Sequence, residues 1–155
     1  MTKYAAQTSV SVEKSRAEIE TVLRKYGATE FAYMTTMSKA LIVFRAHERL
    51  VRFTLPLPDQ REEKFSFDRR TKRDRRPEQA HRLWEQECRS RWRSLVLVIK
   101  AKLEAVQSGI MSFETEFLGN IVLPDNKTVA EHSLPQIRES YRTGAPTLLL
   151  GSGKQ

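Results

Sequence analysis

The spacing of apolar residues changes period along the chain, and each change marks an element. Val12, Ile19, Val22, Leu23 and Tyr26 form one helical stripe. Ser11 stands where an N-cap belongs and Gly27 where a left-handed C-terminal residue belongs, which predicts a helix over 12–26. The period then drops to two. Phe31 and Tyr33 alternate with small or polar residues, 40–44 is a short apolar run, and Val51, Phe53 and Leu55 oppose Arg52 and Thr54. With a break near 37–39 and a polar turn at 47–49, this predicts a three-stranded antiparallel meander, ended by Pro56 and Pro58. Residues 57–76 carry no apolar periodicity and are expected to be a long mobile loop.

Helical spacing returns at Pro77, a residue suited to a first helical turn, and continues to 108 through Ala80, Trp84, Cys88, Trp92, Val96, Ile99 and Leu103. The segment 95–99 is apolar nearly all round and predicts a buried spine. Ser112 caps a short helix carrying Phe113 and Phe117, and 123–127 is a turn. Thr128 and Glu131 form a capping box that opens a last helix, which Pro135 is expected to interrupt or shift and which Gly144 and Pro146 stop. The elements predict an α+β fold: N-terminal helix, three-stranded antiparallel meander, long central helix and two short C-terminal helices. The expected organisation is a flexible segment 1–10, one domain over 11–145 and a flexible tail 146–155.

A chain of 155 residues suits one domain without covalent staples. The single cysteine, Cys88, rules out an intrachain disulfide and fits a reducing compartment. No apolar run follows the first residues, and 95–99 is far shorter than the roughly 20 residues of a membrane span. A cytoplasmic protein without membrane partners is expected. The 27 Lys and Arg outnumber the 19 acids, for a net charge of +8, which favours encounter with polyanions.

The charge is unevenly placed. Arg69, Arg70, Lys72, Arg73, Arg75 and Arg76 crowd into eight positions with Asp74 as the one acid among them. Guanidiniums bind phosphate through paired hydrogen bonds and release counterions, so this run is the candidate phosphate contact. Phe65 and Phe67 beside it are candidates for stacking on bases. Arg82 and Arg89 continue the track along the long helix, although Glu85 and Glu87 stand close enough to neutralise it. Lys14 and Arg16 lie in the first turns of helix 12–26, where free N–H groups attract phosphate. Trp84 and Trp92 have the spacing of core residues.

Catalytic candidates are few. His47, His81 and His132 are dispersed, no Cys–His ligand spacing exists, and Cys88 falls on the buried stripe. Glu114 and Glu116, with Asp125 downstream, are the one carboxylate set suited to a divalent metal, or else acids favoured by a helix start. The C-terminal Gly-Ser-Gly-Lys lacks the first glycine and the following hydroxyl of a phosphate loop. The leading expectation is a non-catalytic nucleic-acid-binding protein without cofactor, with single strands favoured. The alternatives are a protein-interaction module that inhibits a host defence or replication factor, and a metal-dependent nuclease.

Three stretches, VEKSRAEIE at 12–20, RWRSLVLVIKAKLE at 91–104 and FLGNIVLP at 117–124, carry a resemblance to short proteins of phages and bacterial mobile elements. That resemblance implies a bacterial cell or phage-infected host. It brings no assigned activity and no functional residue. In element order alone the chain is similar to single-strand annealing proteins of the Rad52 and phage recombinase type, a likeness that favours single-strand binding and a homo-oligomer.

Overall fold

The computed structural model describes residues 5–146. Helix α1 (Val12–Lys25) opens with the Lys14 N–H donating to the Ser11 hydroxyl at 3.2 Å, and Gly27 follows it at φ +94°. Strands β1 (Glu30–Thr35), β2 (Lys39–Ala46) and β3 (Arg49–Pro56) form an antiparallel sheet in that order. The register sets Ile42 opposite Tyr33 and Phe53, and Phe44 opposite Phe31 and Val51, so one face collects the buried side chains. His47 and Glu48 make the β2–β3 turn at φ 48° and 61°, the left-handed pair that matches strand twist. The His47 ring stacks on Phe113 at 4.5 Å.

Beyond the sheet come a one-turn helix α2 (Glu63–Ser66) and two-residue strands β4 (Phe67–Asp68) and β5 (Arg73–Asp74). Helix α3 (Pro77–Gln107) has 31 residues and extends about 46 Å. Helix α4 (Phe113–Phe117), a 3-10 turn (Leu118–Asn120) and helix α5 (Val129–Thr143) complete the chain. The sheet's buried face packs on α1 and α3 through Ile19, Leu23, Trp92, Val96 and Ile99, and Phe117 of α4 seals one end. Ile121 bridges to Val51 and the Val122 N–H reaches Leu50 O at 2.8 Å, so the C-terminal segment meets the β3 edge. The β1 edge has no strand neighbour among the described residues.

Glu18 of α1 accepts hydrogen bonds from both Arg93 and Lys100 of α3, an ion triad that registers the two helices. The Lys100 and Arg93 bonds hold its carboxyl below the ordinary glutamate value of 4.5. A folded-state pKa below the unfolded one stabilises the protein above the unfolded pKa, and the contribution disappears as pH falls through the folded value. Glu18→Gln should therefore lower stability by roughly 1 kcal/mol at neutral pH, and the gap should close in acid, where glutamic acid and glutamine are alike. Urea unfolding of both proteins across a pH series measures this. A gap independent of pH would assign the loss to packing.

Several expectations change. Residues 57–76 are not featureless, because α2 and the β4–β5 hairpin lie within them. Residues 5–10, expected to be loose, run along α3: Ala5 is buried, and the Gln86 amide donates to the Ala6 and Thr8 carbonyls at 3.0 and 2.9 Å. The spine at 95–99 is covered on one side only. Leu95, Val96 and Ile99 are buried, whereas Val98 is 45% exposed, because one helix cannot turn all its sides to a two-layer core. Pro135 lies inside α5 without ending it. The capping box at Thr128 and Glu131, with N–H to oxygen distances of 3.2 and 2.6 Å, fixes the start before the proline is reached. The expected tail lies outside the described residues from 147 onward.

Candidate nucleic-acid interface

The basic run is built into a hairpin. Phe67 pairs with Asp74 and Asp68 with Arg73, leaving 69–72 as the loop. Asp68 shapes it. Its Oδ1 accepts the Arg70 N–H at 2.9 Å and the Thr71 N–H at 3.3 Å, and Lys72 takes φ 54° to turn the chain back. The Arg70 N–H, with that of Thr71 and the Arg75 charge, holds the Asp68 carboxyl below its ordinary 3.8.

Arg75 is the brace of this hairpin, not a free phosphate contact as expected. Its Nη1 donates to the carbonyls of Lys64, Phe65 and Phe67 at 3.0, 3.3 and 2.9 Å, and its Nη2 lies 3.5 Å from Asp68. A planar fork of donors can gather several backbone acceptors at once, which is why an arginine from the basic run is drawn inward. Phe65 is also corrected. It is 3% exposed with the Lys64 ammonium 4.8 Å above its ring, so no base can reach its face. Phe67 remains half-buried at the root of the hairpin.

Arg69, Arg70, Lys72, Arg73 and Arg76 are exposed, and none makes an ion pair among the described residues. A groove of about 560 Å³ separates the hairpin from α3, with Arg73, Arg75, Gln79 and Arg82 in its walls beside the carboxylates of Asp68 and Asp74. Arg82 also borders the next depression, beside Gln60 and His81. The positive end of the α3 dipole opens at Pro77, directly after Arg76 and with Glu78 in the first turn. Among the described residues Arg82 makes only a 3.3 Å bond to the Glu78 carbonyl, so its charge stays available. The expected neutralisers act elsewhere: Glu85 meets His81 at 3.2 Å, and Glu87 meets Lys64 and Arg91 at 3.0 and 2.9 Å.

Other candidates fall away from this surface. Lys14 is exposed on α1 and is not among the groove residues. Arg16 is wedged between the Tyr33 and Trp92 rings, with its guanidinium carbon 4.8 and 4.9 Å from their centroids. Arg89 donates to Gln86 at 3.2 and 2.5 Å. Both turn into a separate cavity of about 900 Å³ between α1, α3 and the β1–β2 turn, so neither continues the track of the hairpin. Sequence spacing places Arg82 and Arg89 on one face of α3, two turns apart, and along that face Arg82 borders the hairpin groove while Arg89 borders the cavity. Trp92 is 2% exposed, and Trp84 donates from its ring N–H to the Pro58 carbonyl at 2.9 Å.

The carboxylates considered for a metal are engaged with cations: Glu114 with Arg49 at 2.6 Å and Glu116 with Lys102 at 3.0 Å. Asp125 faces His132 at 2.6 Å, where the Lys127 N–H and the histidine hold it below its usual 3.8. Among the described residues no group of three His, Cys, Asp or Glu is positioned to hold a metal ion. Burial pushes the Cys88 thiol up to about 11, so at neutral pH it is a protonated wall of the cavity and not a nucleophile.

The cavity and the hairpin brace had no signal in the apolar pattern. The hairpin did have one: an aspartate two and three residues ahead of loop N–H groups is an Asx-turn signature, and Asp68 supplies it. Comparison with protein-family models, curated proteins and solved structures gives no match. The fold and the site are what define the molecule: a two-layer α+β protein that presents a short cationic hairpin at the start of its longest helix. No helix among the described residues is long and apolar enough to cross a membrane.

Proposed function

We propose that this is a non-catalytic nucleic-acid-binding protein that holds the phosphates of a strand on the β4–β5 hairpin, in phage or mobile-element DNA metabolism. The observation that carries the reading is that Arg69, Arg70, Lys72, Arg73 and Arg76 stand exposed without carboxylate partners, although the chain places acids on neighbouring cations. Arg82 and the positive end of α3 extend the same surface. A single strand is the favoured ligand. Two-residue strands make a ribbon too short to follow a duplex major groove, whereas a flexible backbone can settle around point charges, with Phe67 available to one base. The setting rests on the phage-protein resemblance alone.

The test is a salt series on single- and double-stranded oligonucleotides. With five or six phosphates engaged, log Kd for single strands should rise with log salt at a slope of about 3.5 to 4.2. Tighter binding to duplex would overturn the strand preference, and a slope near zero would overturn the electrostatic reading. A second reading, a module that binds a host protein, draws support from the open β1 edge with Tyr33 and Met34 about half exposed. A stoichiometric protein partner retained from nuclease-treated bacterial lysate favours it.

A further inference from the structure

Helices α1 and α3 together carry six partly buried cations: Arg16, Arg89, Arg91, Arg93, Lys100 and Lys102. Four of them have carboxylates, with Arg91 on Glu87, Arg93 and Lys100 on Glu18, and Lys102 on Glu116. The two that have none among the described residues, Arg16 and Arg89, are the two that line the 900 Å³ cavity. Among the described residues Arg16 uses one of its five donors, a 3.3 Å bond from Nη2 to the Thr35 hydroxyl, and its buried Nε–H has no partner. Among the described residues Arg89 is bonded only to the neutral amide of Gln86. Withdrawing a guanidinium from water without an anion is unfavourable, so a pair of them at one site is a vacancy for negative charge.

The apolar part of the wall is Val12, Met37, Leu57, Trp84, Cys88 and Trp92, and Thr35, Thr36 and Gln60 add neutral polar groups. The acids of the lining do not answer the two arginines. Asp59 holds Arg61 at 3.0 Å, Glu85 meets His81, and Glu13 stands exposed at the rim. The cavity has the volume of small-molecule pockets, roughly 300–1,000 Å³, and their composition of mostly apolar wall with a few convergent polar groups.

We propose that this cavity binds an organic anion with a flat apolar body, its carboxylate, sulfonate or phosphate against Arg16 and Arg89 and its ring system along the half-buried Trp84. The site is separate from the hairpin and does not depend on the nucleic-acid reading. A free aromatic carboxylate and a mononucleotide share this chemistry.

The chain's two tryptophans both line the cavity, so intrinsic emission reports its occupancy directly. The probes are anilinonaphthalene sulfonate and phenylnaphthylamine, the same ring system without the charge. Saturable one-site quenching by the sulfonate, at least about tenfold tighter than by the neutral amine, is expected, and Arg89→Gln should remove most of that preference. Arg16→Gln should do the same. Because Arg16 packs between two rings, it is read only if its circular dichroism and melting match the wild type, and Arg89→Gln otherwise decides alone. Equal affinity for the two probes, or an Arg89→Gln protein that still prefers the sulfonate, overturns the proposal. So does loss of probe binding when the hairpin cations are neutralised. Displacement of the dye by naphthoate or by a mononucleotide identifies the source, and displacement by neither at millimolar concentration reduces the site to a dye surface and overturns it.

Discussion

Exchanging Arg69, Arg70, Lys72, Arg73 and Arg76 together for glutamine is expected to flatten the salt dependence of single-strand binding by about 3.5, five phosphates at about 0.7 each, and to weaken binding at low salt by roughly a hundredfold or more. The hairpin itself should survive. Its fold runs through Asp68, the fork of Arg75 and the carbonyls of Lys64, Phe65 and Phe67, and none of the five exchanged side chains makes an ion pair. Arg75 is therefore left in place. Binding across a salt series, with thermal melting as the control, measures the effect. An unchanged slope in a protein that melts like the wild type would show that the hairpin does not touch the strand.

Phe117→Ala should destabilise the protein by about 3–5 kcal/mol, a large share of the stability of a domain this size. The ring is fully buried and meets Phe44 and Phe53 edge-on at 6.0 and 6.1 Å and Phe113 face-on at 4.6 Å. Truncation leaves a cavity at the junction of α4 with the sheet, where His47 on the β2–β3 turn stacks against Phe113 and limits collapse. Tyr141→Ala on α5, 88% exposed, is the matched control and should change stability by no more than about 0.5 kcal/mol. Chemical denaturation of both variants decides. A Phe117→Ala loss below about 1 kcal/mol would mean that α4 does not close the core.

The architecture was legible because burial imposes period. Residues 12–26, the meander and 77–108 differ from the observed α1, β1–β3 and α3 by a residue or two at their ends, and the Ser11, Ser112 and Thr128 caps lie where their side chains predict. Periodicity is silent where elements are too short to repeat, which is why α2 and the β4–β5 hairpin were read as loop. The candidate site was half legible. Clustering of charge along the chain found the hairpin cations, but charge alone does not say which guanidinium turns inward. Arg75 and Arg73 look alike in sequence, yet one gathers three carbonyls and the other stands in solvent.

The one-dimensional pattern of this chain determined its class, its order of elements and its excess of positive charge, because each follows from local propensity and from which side of an element must leave water. Only the packed molecule decided which charges are free. Pairing is a matter of distances across the fold. Glu18 finds Arg93 and Lys100 some eighty positions away, while Arg16 and Arg89, no less plausible as partners for an acid, face a cavity and have none among the described residues.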